Sequence, residues 1–173
     1  MNMTTKKART KKMKDKIHLP SLPPQLLLYL VDPLIIGRPP KDQYYLGIAD
    51  AVAKRSTCMV RQYGAVIVKD DEIISTGYNG SPRGLPNCID ENLCPRSAFN
   101  PSLVQGKEYD RCVSVHAEMN AIISSRRADM AESTLYLSCF DYQLREQVYG
   151  FPCDMCTRLM LNAGIRRLVI WEL

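Results

Sequence analysis

Histidine is scarce in this chain, whose 173 residues include only His18 and His116. The sequence also has no apolar run of about 18 residues, so it predicts no membrane-spanning helix. Its longest apolar segment, residues 26–36, is short and contains Asp32 and Pro33. The nearby prolines and the lack of a small-residue cleavage site argue against a secretory signal. We therefore expect a cytoplasmic protein with no membrane partner.

Positive charge is concentrated at the N-terminus. The chain carries a net charge of +5, but residues 1–16 hold seven basic residues and one acidic residue, which leaves −1 for the remainder. No aromatic residues are interleaved with these charges, and a nucleic-acid partner is therefore not expected. We predict that residues 1–37 form a basic, flexible extension. Residues 38–173 have the right length for a single domain with a real core.

Hydrophobic periodicity predicts the order α, β, β, α, β, α, β. Asp42 is predicted to cap the first helix, and Gly164 to end the last one. The β-α-β units at the C-terminal end require crossover helices between parallel strands. The predicted fold class is therefore α/β, a three-layer α/β/α sandwich on a mixed sheet of four or five strands. The predicted elements are helix 42–56, strands 65–68 and 73–76, helix 114–127, strand 133–139, helix 153–164 and strand 167–173.

Cysteine, in contrast to histidine, is abundant. The chain contains seven, an odd number for a disulfide framework, and no secretory signal accompanies them. Metal binding explains this usage better than disulfides do. Cys139, within a predicted strand, is expected to be ordinary core.

The segment PCDMC places Cys153 and Cys156 three residues apart at the start of a helix. A C-x-x-C pair alone is compatible with a redox pair, an iron–sulfur site or half of a zinc site. With His116, the two thiolates make three ligands, a set that holds catalytic zinc with its fourth position open to water.

Glu118 lies two residues after His116 and is not needed as a ligand. Residues two apart do not share a helix face, so His116 and Glu118 serve one site only at a helix N-terminus. A carboxylate there can take a proton from metal-activated water and deliver it to a substrate. Metal-activated water and a neighbouring carboxylate are the groups that can hydrolyse an amidine-like C–NH₂ bond.

The segments RSTCMVRQYGAVIVKDDEIISTGYNGSPRGLPNC, SVHAEMNAII and PCDMCTRLMLNAGI together resemble the deoxycytidylate (dCMP) deaminase family of the zinc-dependent deaminase superfamily. The H-x-E and P-C-x-x-C motifs identify the superfamily, and GYNG with HAEMNAI narrows it to this family. The resemblance covers roughly residues 38–173. It implies hydrolysis of dCMP to dUMP and ammonia for dTTP precursor synthesis, with metal-activated water attacking C4 of cytosine.

Carried over residue by residue, the resemblance assigns His116, Cys153 and Cys156 as zinc ligands and Glu118 as the proton shuttle. It assigns Asn79, in GYNG, to the deoxyribose. Three basic residues are available for the 5′-phosphate: Arg61, Arg83 and Lys107.

Four further cysteines surround the irregular stretch 80–112. Some relatives hold a second zinc here, with ligands matching Cys58 and Cys88, and we expect a structural zinc with Cys94 and Cys112 completing the set. The alternative is four buried cysteines that pack as small hydrophobes. The family also implies a homo-oligomer, often a hexamer, with dCTP and dTTP as effectors.

Two departures from the family stand out. Many relatives continue with a further helix and strand beyond the position of Trp171, and the loop 140–151 is longer here than in relatives. Other readings are a tRNA adenosine, guanine, dCTP or riboflavin-pathway deaminase, or a non-enzymatic zinc-stabilised binding module. Glu118 argues against the module, because a purely structural zinc site needs no adjacent carboxylate.

Overall fold

The computed structural model describes residues 38–96 and 111–172. Apart from Arg38, these belong to one compact unit, Pro39–Leu173. The predictions for residues 1–37 and for Lys107 fall outside the described residues. Among the helices that are described, none is long and apolar enough to cross a membrane.

The helices and strands follow the order that the periodicity predicts, with two additional one-turn helices. The last long helix ends where expected, since Gly164 follows it with a φ of 91°, a left-handed conformation suited to glycine. In chain order the elements are α1 (Lys41–Ala53), β1 (Arg61–Lys69), β2 (Glu72–Tyr78), α2 (Cys88–Glu91), α3 (Ala117–Ile123), α4 (Arg127–Met130), β3 (Thr134–Asp141), α5 (Asp154–Ala163) and β4 (Arg167–Ile170).

Strands β1 and β2 form an antiparallel hairpin. Its turn consists of Asp70 and Asp71, whose φ angles of 51° and 69° are the positive pair of a type I′ connection. Asp71 also accepts hydrogen bonds from Lys41 Nζ and from the Tyr45 hydroxyl, each at 2.7 Å. The turn is thereby fastened to the first helix.

The described strands form one mixed sheet in the order β2-β1-β3-β4. β1 pairs antiparallel with both β2 and β3, whereas β3 and β4 are parallel and are connected through α5. The predicted mixed sheet is confirmed, with four strands. This topology makes α5, the helix that follows the start of the C-x-x-C pair, the crossover between β3 and β4.

Both faces of the sheet are covered, which confirms the predicted three-layer sandwich. Side chains alternate along each strand, so successive residues enter different cores. One core combines strand residues with α1: Tyr45, Leu46, Ala49, Val66, Val68 and Tyr136. The other combines them with α3, α4 and α5: Ala65, Ile67, Ala117, Ala121, Ile122, Met130, Leu135, Leu137, Met160, Ala163 and Ile165.

Two sequence predictions about helix ends were wrong. Pro40, not Asp42, is the N-cap of α1. The Asp42 carboxylate instead accepts from the Tyr136 hydroxyl at 2.9 Å and pairs with Arg167. Tertiary partners on β3 and β4 thus compete for the carboxylate that local capping would use.

The helix expected over 114–127 is only α3, Ala117–Ile123. Its C-cap is Ser124, whose hydroxyl donates to the Asn120 carbonyl at 2.7 Å. Serine hydroxyls compete for backbone groups in this way, which makes serine a poor residue for continuing a helix.

Close backbone approach sets the position of α3 on the sheet. A Cβ on Gly77 would lie 2.3 Å from both Ala117 O and Ala121 N. The Ser75 hydroxyl donates to Ala121 O at 2.8 Å, and Asn120 Nδ2 donates to Tyr78 O at 2.7 Å. Strand β2 therefore holds α3, and with it the HAEMN segment, at a fixed distance.

Replacing Gly77 by alanine should force α3 away from β2 and lower the free energy of unfolding by about 1–3 kcal/mol, as overpacking does. The control is Gly47→Ala, because Gly47 lies in α1 with no atom within 4 Å of an added Cβ. That change should stabilise the protein by about 0.5–1 kcal/mol through helix propensity. Urea unfolding followed by circular dichroism measures both, and equal stability of Gly77→Ala and the unmutated chain would contradict the packing argument.

Candidate metal centre

His116, Cys153 and Cys156 meet at one end of the sheet. His116 Nδ1 lies 3.6 Å from Cys153 Sγ and 3.3 Å from Cys156 Sγ. One ligand atom from each residue lies within 4.8 Å of the others. Among described residues this is the one group of three or more candidate ligands close enough together to hold a metal ion.

Two helix N-termini bring these ligands together. His116 is the N-cap of α3, and Cys153 is the N-cap of α5. Cys156 lies in the first turn of α5, and its backbone N–H donates to Cys153 Sγ at 3.5 Å. The positive end of the α5 dipole favours thiolate over thiol at this position.

The spacing of the ligand atoms fits zinc. With Zn–S bonds of about 2.3 Å and Zn–N bonds of about 2.0 Å, tetrahedral geometry separates a ligand nitrogen from a ligand sulfur by about 3.5 Å. The two observed N–S distances, 3.3 and 3.6 Å, bracket that value. One imidazole and two thiolates also match zinc in ligand type, and leave one tetrahedral position free of protein.

Glu118 lies in the first turn of α3, directly after His116, as the sequence predicts. Its side chain is 2 % exposed. Burial raises the pKa of its carboxyl group, and contacts with His116 and Cys156 partly offset this. A buried carboxyl group beside a set of metal ligands is placed to hold and transfer a proton.

Burial also raises the pKa of the Cys156 thiol, and the neighbouring Glu118 carboxyl adds to the effect. A metal cation reverses this preference, because a thiol that coordinates zinc is deprotonated. The buried thiol is therefore a group whose charge depends on metal binding.

Asn79 is buried beside this centre, since Gly80 and Val115 exchange backbone hydrogen bonds and Val115 precedes His116. Its Oδ1 accepts from Tyr63 N at 2.7 Å and from Ser56 Oγ at 2.6 Å. Its Nδ2 donates to a backbone carbonyl, that of residue 61, at 2.8 Å, which leaves one amide hydrogen for another partner. Contact with a deoxyribose stays a prediction.

The four cysteines of the predicted second site share a neighbourhood but do not form a tight cluster. All are half-buried: Cys58, Cys88, Cys94 and Cys112. Burial raises the pKa of the Cys88 thiol, and the thiols of the other three raise it further. Within the described ranges they do not form a ligand group as close as His116 and the C-x-x-C pair. The second zinc stays a prediction.

The two described candidate phosphate ligands, Arg61 and Arg83, have different surroundings. Arg61 pairs with Asp141 at 3.7 Å, at the end of β1 and β3. Arg83 is exposed, in the loop after β2. Lys107 falls outside the described residues. The structure therefore leaves the choice of phosphate ligand as a prediction.

Tyr63 is a site neighbour that sequence reasoning missed. It packs against the core shared with α3, and the Glu118 carboxyl is close enough to contribute to raising its phenol pKa, after burial and Cys139. The available signal was strand alternation, which places residue 63 on the same face of β1 as Ala65 and Ile67. Gly150 packs over it, with an added Cβ 2.8 Å from Tyr63 Cε1.

Comparison with known proteins identifies the family. Residues 39–172 match the family model described as the cytidine and deoxycytidylate deaminase zinc-binding region. The chain is 40% identical over 138 residues to the deoxycytidylate deaminase of Mycobacterium phage D29, covering 78% of this chain and 96% of that relative. It is 38% identical over 132 residues to the deoxycytidylate deaminase of Schizosaccharomyces pombe, but spans only 37% of that longer protein.

Solved structures share the fold. The dCMP deaminase of cyanophage S-TIM5 superposes with a TM-score of 0.53 at 23% identity, over 78% of this chain and 84% of that one. The form of that enzyme in complex with dCMP and dUMP gives a TM-score of 0.52 at 22% identity, over 78% and 82%. The resemblance read from the sequence is confirmed: this chain belongs to the family of zinc-dependent cytidine and deoxycytidylate deaminases.

Proposed function

We propose that this protein hydrolyses dCMP to dUMP and ammonia, with one zinc ion held by His116, Cys153 and Cys156. The observation that carries this proposal is the buried Glu118 carboxyl beside a three-ligand set that leaves a coordination position open. Relatives named deoxycytidylate deaminase, and a structural neighbour in complex with dCMP and dUMP, support the choice of substrate.

The chain's own groups account for the proton transfers. Zinc, when bound, supplies Lewis acidity that lowers the pKa of water toward neutrality. Glu118 accepts one proton from the attacking water and delivers it to N3 of the cytosine, then takes the second proton from the new hydroxyl on C4 and passes it to the departing amino group. The water oxygen bonds to C4, the C4–N4 bond breaks, and ammonia leaves. One water is consumed for each dCMP.

The position of Glu118 makes it suitable for this work. Glu118 lies in the first turn of α3, near His116, but is not one of the proposed ligands. Burial removes competing water, so its interactions with developing charge are stronger than they would be in solvent. A purely structural zinc site would have no use for such a carboxyl group.

Two further side chains, Asn79 and Arg61, are available to contact the sugar and the phosphate of the substrate. Asn79 has one amide hydrogen without an assigned acceptor, and we assign it to the deoxyribose. Arg61, at the same end of the sheet, is the described basic residue we favour for the 5′-phosphate. Its pairing with Asp141 is long, at 3.7 Å, and is readily exchanged for a phosphate.

A second, structural zinc is part of the proposal. The neighbourhood shared by Cys58, Cys88, Cys94 and Cys112 supports it. The ion would draw the four thiols together and clamp the loops from which they come, because metal binding and local folding are linked.

The wider setting is also proposed. We assign residues 38–173 to the deaminase domain and residues 1–37 to an extension. The family suggests a homo-oligomer, often a hexamer, with dCTP and dTTP as effectors, acting in the cytoplasm in the synthesis of dTTP precursors.

Turnover of several substrates side by side tests the function. The zinc-loaded protein should release ammonia from dCMP, with lower kcat/KM for dCTP and deoxycytidine. Absorbance of the pyrimidine ring follows all three reactions. Release of ammonia from tRNA or guanine, with none from dCMP, would assign the chain to another branch of the superfamily.

Glu118→Gln should keep its zinc and lose about 100- to 10,000-fold in kcat, as expected when a positioned acid–base group is removed. Glu132→Gln is the matched control, because Glu132 is a surface residue paired with Arg166. It should retain full activity. Activity assays measure kcat, and elemental analysis measures the zinc content of both variants. Substantial turnover by Glu118→Gln would refute its role as proton shuttle.

Elemental analysis of protein purified without chelator should find about two zinc ions per chain. Cys88→Ser should reduce this to about one and lower the Tm, because it removes a ligand of the structural site. Cys139→Ser, which alters a buried strand cysteine, should keep both ions. A stoichiometry near one zinc ion in the unmutated chain, unchanged by Cys88→Ser, would contradict the second site. The four cysteines would then be explained as small hydrophobic residues that pack together.

A further inference from the structure

Two aromatic rings project from the loop that leads into the metal centre. Tyr149 and Phe151 are 55 % and 57 % exposed, although they contact each other edge to face with centroids 4.8 Å apart. Single exposed apolar residues are normal on protein surfaces. A paired set that ends two residues before a metal ligand is a more specific feature, and the mechanism above does not use it.

The loop that carries these rings is fastened at several points. Val148 N donates to Cys139 O at 2.9 Å, and Asp141 N donates to Glu146 O at 2.9 Å. Gln147 Nε2 donates to Asp50 Oδ1 at 3.1 Å, which connects the loop to α1. The rings are therefore exposed on a fixed backbone and not on a free loop.

Asp50 is itself held from two other directions. The same carboxylate oxygen accepts from the Ser138 hydroxyl at 2.5 Å and from Trp171 Nε1 at 2.9 Å. Strand β3 and the C-terminal segment thus converge on the group that anchors Gln147. An ordered anchor of this kind lowers the entropy lost when a ligand binds to the loop.

Alternation along the chain directs the rings toward the metal-ligand side. Gly150 faces inward, where an added Cβ would lie 2.5 Å from Cys139 Cβ. Phe151 precedes Pro152 and is thereby biased to extended backbone, and Cys153 is extended with φ −70° and ψ 165°. In extended backbone alternate residues share a side. Tyr149 and Phe151 therefore lie on the side of Cys153, whose Sγ reaches toward His116.

The geometry points to these two rings as the surface on which the pyrimidine base of the substrate stacks while its C4 lies at the metal centre. We infer that Tyr149 and Phe151 are specificity-determining residues that bind the π-face of the base; the inference rests on the proposed function. Alternate residues of an extended chain are about 7 Å apart, about the width of a pyrimidine ring with its substituents. The rings therefore come within reach of a base whose reacting carbon is at the zinc.

Stacking of this kind acts on substrate and transition state alike. Its loss should raise KM and leave kcat nearly unchanged, the signature of uniform binding. Base–aromatic stacking corresponds to about 5- to 150-fold in affinity for each base. Phe151→Ala, Tyr149→Ala and the double variant should therefore raise the KM for dCMP by at least about 5-fold, and Phe151→Tyr should restore most of it.

The matched control is Leu144→Ala. Leu144 lies in the same loop and is 65 % exposed, but it is distant in sequence from the C-x-x-C helix. This variant should keep the KM of the unmutated chain. A direct readout that needs no turnover is calorimetric titration of dUMP into the Glu118→Gln protein, with and without Phe151→Ala. The aromatic change should weaken dUMP binding by the same factor as it raises KM.

The outcomes separate this inference from the proposed function. An unmutated protein that does not deaminate dCMP overturns the function. An active protein whose KM and dUMP affinity are unchanged in Phe151→Ala and Tyr149→Ala overturns the inference alone. An equal rise in KM for Leu144→Ala also overturns the inference. So does a change in the sedimentation coefficient of the aromatic variants without a change in their KM, because the rings would then form a contact between copies of the chain.

Discussion

The meeting of two helix N-termini above one end of the sheet is the constraint on which this protein's chemistry depends. His116 caps α3 and Cys153 caps α5, and each helix is placed by the sheet beneath it. Gly77 sets the distance of α3, because any side chain there would strike its backbone. The crossover from β3 to β4 delivers α5 to the same place. Ligands 37 and 40 residues apart in sequence thereby come within 3.6 and 3.3 Å.

Burial affects which charge states are favoured at this site. Glu118 and Cys156 are almost completely enclosed, and enclosure alone disfavours the charged form of each. A cation that binds the thiolates offsets that cost, so metal affinity and the ionisation of the site are linked. A bound metal would therefore stabilise the charged form of the thiols at this site.

The long loop between β3 and α5 leads directly into the metal-ligand helix. Backbone hydrogen bonds connect it to β3, and the hydrogen bond between Gln147 and Asp50 connects it to α1. Gly150 has no side chain, which allows the loop to pack against Cys139 and Tyr63. A loop secured in this way adds surface beside the candidate ligands that follow it without disturbing them. Substrate preference can thus be altered there while the reaction machinery is preserved.

Sequence patterns alone predicted the layer architecture and the candidate metal ligands. Alternation with period 2 and helical periodicity identify the strands and the faces of α1 and α5, and C-x-x-C with a single suitable histidine is a short-range chemical pattern. It also indicated that Glu118 must lie at a helix start, because residues two apart diverge within a helix. These features depend on neighbours in the chain, which a sequence displays.

Features that depend on residues distant in the chain became visible only in the folded structure. Asp42 binds Tyr136 and Arg167 on β3 and β4 and does not cap its own helix. The amide of Asn79 is largely occupied by Ser56, Tyr63 and a backbone carbonyl. Side-chain hydrogen bonds go to whichever donor or acceptor the fold brings closest, and no local pattern specifies that choice.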